Sequence, residues 1–161
     1  FVLGDVENTA EPLVFIAAGS GITPFISMAK AARAAQPERQ INLVHIVQNE
    51  AKQLLKAQTA ELKAKYNINL KVHFTEGAGK LYDVETPQLP SQVYLDLLQE
   101  VVSAEVPEKN VFVVGPKAFM VNTLGALLKV RSEYQGQAIR FEAFGPHPSF
   151  ELLAKINAAK Q

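Results

Sequence analysis

Cysteine is absent from the sequence, and its absence excludes several kinds of chemistry. A chain without cysteine forms no disulfide, offers no thiolate nucleophile and gives no cysteine ligand to a metal. The three histidines, His45, His73 and His147, are scattered and do not have the spacing of metal ligands. We therefore expect no metal site in this chain.

An excess of charge and a long apolar run are also absent. The 16 basic side chains balance 16 acidic ones, so the formal net charge is zero and a nucleic-acid partner is not expected. The longest apolar run, residues 12–18, is much shorter than the roughly 20 residues of a membrane span. Because the chain starts at Phe1 without a signal-like segment, we expect a cytoplasmic domain whose natural N-terminus lies further upstream.

The residues that are present predict one α/β domain with a substantial core. A length of 161 residues is typical of a single domain, and 48% of the residues are hydrophobic. Apolar runs alternate with segments of helical spacing, which predicts a three-layer, doubly wound, five-stranded parallel sheet of Rossmann-like type. The predicted strands are 13–18, 41–47, 70–74, 110–114 and 138–141. The first predicted helix starts at Pro24, and the other predicted helices are 51–66, 92–102, 117–130 and 151–159.

The segment GSGITP at 19–24 has the features of an anion-binding turn. Gly19 and Gly21 permit positive φ and a close backbone approach, while Thr23 suits a helix N-cap and Pro24 the first helical position. Free N–H groups at the positive end of a helix bind pyrophosphate. A plain strand-to-helix turn is the alternative, because Pro24 replaces the third glycine of the standard dinucleotide fingerprint.

A second glycine turn follows the fourth predicted strand. Gly115 ends that strand, and Pro116 can open the next helix. In a doubly wound sheet the first and fourth strands are neighbours, and ligands bind in the crevice at their carboxyl ends. The two turns together predict a ligand cleft, with ordinary turn chemistry as the alternative.

Several segments together resemble the ferredoxin–NADP reductase superfamily. GSGITP at 19–24 matches its pyrophosphate loop, and Val114-Gly115-Pro116 before Phe119-Met120 resembles its Cys-Gly-Pro segment. HIVQN at 45–49 resembles the end of its second strand. EAFGPH at 142–147 resembles the Glu-x-Phe-Gly-Pro-His of flavohaemoglobin-type reductases, and all these segments occur in family order.

This resemblance implies a two-domain reductase module of which the chain is one part. Residues 1–4 would be the last strand of a flavin-binding barrel, and residues 5–161 the NAD(P)-binding domain. NADH or NADPH would deliver hydride to FAD, which is held mainly by the barrel. Electrons would then pass to a haem, an iron–sulfur centre or a ferredoxin domain. A non-catalytic nucleotide-binding module is the alternative, whereas a dehydrogenase with its own catalytic set is disfavoured because no Tyr-x-x-x-Lys pattern is present.

By resemblance, the first turn takes the pyrophosphate and the second flanks the nicotinamide. Glu142 would lie near the contact of nicotinamide and flavin, or else be a solvent-facing carboxylate. Phe144 would cover the flavin, or else pack under the tail. Catalytic roles thus fall to Thr23 and Glu142. Cofactor binding falls to Gly19, Ser20, Gly21, Ile22, Thr23, Pro24, Gln48, Asn49, Gly115, Pro116, Phe119 and Phe144.

Two further expectations concern Val114 and the choice of nucleotide. Val114 stands where the family has cysteine, so the site lacks the polarisable sulfur. Either hydride transfer is slower than in a Val114→Cys variant, or the site is tuned differently. The end of the second strand, at Gln48 and Asn49, offers no arginine or lysine for a 2′-phosphate apart from the nearby Lys52. NADH is therefore favoured over NADPH. His45 and His73 lie in apolar strands and are expected to be packed core residues.

Overall fold

Five parallel strands form a single sheet in the order β3-β2-β1-β4-β5. This computed structural model describes residues 3–143. The strands are β1 (Leu13–Ala18), β2 (Ile41–Val47), β3 (Asn69–Phe74), β4 (Val111–Gly115) and β5 (Arg140–Ala143). The helices are α1 (Ile22–Ala35), α2 (Lys56–Tyr66), α3 (Gln92–Val101) and α4 (Lys117–Val130). The predicted doubly wound parallel sheet is confirmed, with β1 between β2 and β4.

Alternate side chains of each central strand enter two separate cores. Leu13 and Phe15 of β1 pack with α1 and α2 on one face, while Val14 and Ile16 pack with α3 and α4 on the other. The ring of Phe15 stacks on that of Phe25 at 4.9 Å between centroids. Both faces are covered by helices of the same chain, so these residues form a self-contained folding unit.

The predicted start of the first helix is wrong. Helix α1 begins at Ile22, because the 3₁₀ turn Gly19–Gly21 runs directly into it, with Gly21 as the N-cap. Thr23 is therefore not the cap; its Oγ1 donates to the Ser20 carbonyl at 3.1 Å. Pro24 lies third in the helix, where its lack of an N–H still costs nothing.

Other predicted boundaries are also corrected, those of β3 and α3 by one residue each. Helix α2 starts at Lys56 rather than 51, because residues 50–52 form a 3₁₀ turn capped by Asn49 and Leu55 has a left-handed φ of 56°. Strand β4 runs one residue further along the chain, to Gly115. Strand β5 begins at Arg140, because the Glu108 carboxylate binds the Ala138 N–H and holds the preceding residues in a turn. The predicted cap of α3 is confirmed, since Ser91 accepts from the Tyr94 N–H.

The N-terminal segment is fastened to the domain by Arg39. This guanidinium is only 4% exposed, and it donates to the carbonyls of Val6 and Glu11 and to the hydroxyl of Thr9. Leu3 and Val6 are buried in the core beneath α1. That residues 1–4 end a flavin barrel stays a prediction, and the predicted helix 151–159 lies outside the described residues. Within residues 3–143, no helix is long and apolar enough to cross a membrane.

Candidate functional site

A cleft of about 740 Å³ opens at the carboxyl edge of the sheet. Its walls come from the ends of β1 and β2, the turn after β3, the loop at 80–84 and the start of α4. This is the edge, at the point where the strand order reverses, where open α/β sheets bind ligands. The lining residues are Ala18, Gly19, Ile46, Val47, Gln48, Lys52, Thr75, Glu76, Gly77, Lys80, Leu81, Tyr82, Val84, Pro116 and Phe119.

The turn after β1 is shaped to receive an anion. Gly19 has a φ of +55°, and no non-neighbouring atom lies within 4 Å of the position that a Cβ would take. Ser20 and Thr23 are exposed, and the first turn of α1 contains no acidic residue. An open turn with exposed hydroxyls at the positive end of a helix fits a diphosphate.

Gly21 allows this turn to lie directly on β4. A Cβ at Gly21 would be 2.8 Å from Val114 Cγ1 and 2.9 Å from the Val114 carbonyl oxygen. Val114 is 3% exposed and belongs to the core beneath α1, so it supports the turn from below. The effect of valine in place of cysteine on hydride transfer stays a prediction.

The turn after β4 is packed against the first. A Cβ at Gly115 would be 2.3 Å from the Phe119 ring and 3.1 Å from Ala18 Cβ. The ring of Phe119 therefore lies over Gly115, where it is part of both the core and the cleft wall. Pro116 is exposed and N-caps α4. The structure thus brings the two glycine turns together, as the sequence predicted.

The end of β2 contributes polar groups. Gln48 lines the cleft and accepts a hydrogen bond from Lys52 Nζ at 2.7 Å. Asn49 accepts from the Lys52 N–H, and its Nδ2 donates to Glu76 Oε2 at 2.9 Å. Asn49 therefore ties the end of β2 to the residues after β3 and is not among the residues that line the cleft.

Other predicted site residues are placed differently. The side chain of Ile22 is fully buried beneath α1, so it belongs to the core rather than to a ligand surface. Glu142 is half-buried on β5 at the level of Val114, and it does not line the cleft. Phe144 and His147 lie outside the described residues. Met120, by contrast, was expected on the buried face of helix 117–130, and its burial in the core is confirmed.

Sequence reasoning missed the wall that follows β3. The segment 76–90 reads as a plain loop, yet six of its residues line the cleft: Glu76, Gly77, Lys80, Leu81, Tyr82 and Val84. The loop is anchored by Ser91, whose Oγ donates to the Lys80 carbonyl at 2.6 Å and whose N–H donates to the Leu81 carbonyl at 2.7 Å. The two glycines of Gly77–Gly79, shortly after the end of β3 at Phe74, were the available signal. Among residues 3–143, no cluster of acidic and histidine side chains is arranged to hold a metal ion.

A family model described as the oxidoreductase NAD-binding domain matches residues 15–124. The chain belongs to this family. The matched range contains both glycine turns and every residue that lines the cleft. The oxidoreductase NAD-binding domain is therefore the part of the protein in which the cleft lies.

Comparison with known proteins agrees with this assignment. Flavohemoprotein A of Dictyostelium discoideum is 28% identical over 141 residues, which cover 87% of this chain and 32% of that protein. The ferredoxin-NADP+ reductase from Plasmodium falciparum has the same fold, with a TM-score of 0.61 and 19% identity over 88% of this chain and 56% of that chain. The flavohem-like FAD/NAD binding domain of nitric oxide dioxygenase from Vibrio cholerae O1 biovar El Tor also has this fold. Its TM-score is 0.60 and its sequence identity 20%, over 86% of this chain and 53% of that chain. This NAD-binding domain spans about a third of the length of the curated relatives that it matches.

Proposed function

We propose that this domain binds NADH in the cleft and positions the nicotinamide for hydride transfer to FAD. A flavin-binding domain of a longer protein holds the FAD, and electrons pass on to a haem, an iron–sulfur centre or a ferredoxin domain. The observation that carries the proposal is the meeting of two glycine turns at the carboxyl ends of β1 and β4, inside the matched family range. We also propose a cytoplasmic location, where nicotinamide dinucleotides are common hydride carriers.

Different residues in and beside the cleft bind different parts of the dinucleotide. Gly19 and Ser20, at the positive end of α1, take the pyrophosphate, because their turn is open and the exposed Ser20 suits a negative charge. Pro116 and Phe119 form the apolar wall beside the nicotinamide. Gln48 meets the adenosine end. Bound NADH supplies the hydride, and the flavin accepts it.

Thr23 and Glu142 lie outside the lined cleft and serve the nicotinamide end. The Thr23 hydroxyl is exposed on the first turn of α1, beside the pyrophosphate loop. Glu142 lies on β5, at the level of Val114. The proposal assigns to both residues the orientation of the nicotinamide against the flavin ring, which Phe144 covers.

Experiments on the isolated chain can measure NADH binding separately from electron transfer. We expect isothermal titration calorimetry of the 161-residue chain to show saturable NADH binding. We also expect almost no NADH:ferricyanide turnover without added flavin, because the flavin carries out the redox step. A chain that shows no NADH binding would overturn the proposed function. Rapid turnover without flavin would overturn the division of labour between two domains.

NADH is expected to bind more tightly than NADPH. The carboxylate of Glu76 lines the cleft beside the end of β2, where a 2′-phosphate would bring a second negative charge. The Glu76→Gln variant should therefore lower the Kd for NADPH about fivefold, which corresponds to roughly 1 kcal/mol of charge repulsion near water. The Kd for NADH should stay the same.

Glu100→Gln is the matched control for this charge change. Glu100 lies on α3, away from the cleft, and pairs with Lys71, so its substitution should change neither Kd. Tighter binding of NADPH than of NADH by the unmodified chain would contradict the predicted preference.

A further inference from the structure

His45 lies on β2 and is fully buried, yet its ring reaches the pyrophosphate turn. Its Nε2 is 2.9 Å from the carbonyl oxygen of Gly19. The register of the sheet explains this contact, because His45 is opposite Ala17, just before the point where β1 ends. A histidine in an apolar strand is thus joined directly to the first residue of the turn.

The contact fixes the tautomer of the ring. A carbonyl oxygen can only accept, so Nε2 carries the proton and donates it to Gly19. Nδ1 is buried and has no hydrogen-bond partner among the described residues. Burial lowers the pKa of His45, which keeps the ring neutral and leaves Nε2–H as its donor.

The Gly19 carbonyl is held from two directions. It accepts from the Ile22 N–H within the 3₁₀ turn as well as from His45. The peptide between Gly19 and Ser20 is trans, so its carbonyl and its N–H point in opposite directions. Fixing the carbonyl toward the buried ring therefore turns the Ser20 N–H away from it, and Ser20 is exposed.

We propose that His45 is a positioning residue for nucleotide binding. Its Nε2–H holds the Gly19–Ser20 peptide in the one orientation that presents the Ser20 N–H to the diphosphate. The left-handed conformation of Gly19 is part of the same arrangement, since another backbone conformation would rotate this peptide plane. The inference rests on the proposed function, because it assumes that a dinucleotide occupies the cleft.

Two variants of His45 test this role. His45→Leu keeps a similar volume and removes the donor, whereas His45→Gln retains an N–H donor at a similar reach. We expect His45→Leu to raise the Kd for both NADH and ADP about tenfold, the size of one lost hydrogen bond at the site. His45→Gln should recover most of the affinity. Calorimetry gives the Kd values, and thermal unfolding reports the stability of each variant.

Asn42→Leu provides the matched control. Asn42 lies on the same strand at the opposite edge of the sheet, is buried, and donates to the Val101 carbonyl at 3.1 Å. Its loss should lower the melting temperature and leave the Kd for NADH unchanged.

The outcomes distinguish the two proposals. Unchanged affinity in His45→Leu overturns the role of His45, as does an equal loss of affinity in Asn42→Leu, which would reveal a general effect of stability. Failure of His45→Gln to recover affinity also overturns it. If the unmodified chain binds neither NADH nor ADP, the proposed function itself fails.

Discussion

Gly21→Ala is expected to weaken NADH binding by about 30-fold, corresponding to about 2 kcal/mol of overpacking. The added Cβ would lie 2.8 Å from Val114 Cγ1 and 2.9 Å from the Val114 carbonyl oxygen. Because the carbonyl belongs to a central strand, it cannot retreat, and the pyrophosphate turn must lift away from β4. Calorimetric titration with NADH measures the effect.

A second substitution at Val114 identifies the cause. In the Gly21→Ala/Val114→Ala double variant, the clash with Cγ1 disappears while the contact with the carbonyl remains. We therefore expect partial recovery of NADH affinity relative to Gly21→Ala alone. Unchanged affinity in the single variant, or a double variant that loses more than the sum of the two single changes, would refute this account of the turn.

Gly79→Ala is expected to lower the free energy of unfolding by about 3 kcal/mol, the upper end of the cost of a forced backbone shift in a packed region. The added Cβ would be 1.8 Å from the carbonyl oxygen of Phe74, the last residue of β3. The Gly79 carbonyl also forms a hydrogen bond with His73 Nε2 at 2.7 Å. A shift of the turn would therefore break this hydrogen bond as well. Urea unfolding gives the change in stability.

Gly77→Ala separates a lack of space from backbone strain. Gly77 has a φ of +71° and open space around its Cβ position, so alanine there costs only about 1 kcal/mol of strain. At Gly79 the situation is reversed: its φ is not positive, but neighbouring atoms leave no space for a Cβ. Equal losses of stability in the two variants would show that the close approach to Phe74 is not what makes alanine costly at position 79.

The strands were predictable because their signal is strong and local. Leu13–Ala18 and Ile41–Val47 are continuous apolar runs between breaks, and the structure gives both with the predicted bounds. The helix starts were harder, because each is preceded by a short 3₁₀ turn. Helix α1 begins at Ile22, before the predicted Pro24, whereas α2 begins at Lys56, after the predicted residue 51. Local composition does not distinguish such a turn from the first turn of the helix that follows it.

The site was predictable only where the chain marks it with glycine and proline. The turns at Gly19 and Gly115 were found in this way. The role of His45 was not, although its burial was expected, because a strand pattern gives the face of a side chain and not the carbonyl that its ring reaches. The wall at 80–84 was missed for a related reason, since its position depends on a hydrogen bond from Ser91, which lies 11 residues after Lys80 in the sequence.

The Arg39 fastening has a mechanical consequence. Arg39 lies two residues before the start of β2, the strand that carries His45 and ends at the cleft. Its guanidinium donates hydrogen bonds to the backbone carbonyls of Val6 and Glu11. A displacement of the segment that contains Val6 and Glu11 is therefore transmitted through these hydrogen bonds to the start of β2. Within residues 3–143, the position of the segment before β1 is therefore coupled to the strand that leads to the cleft.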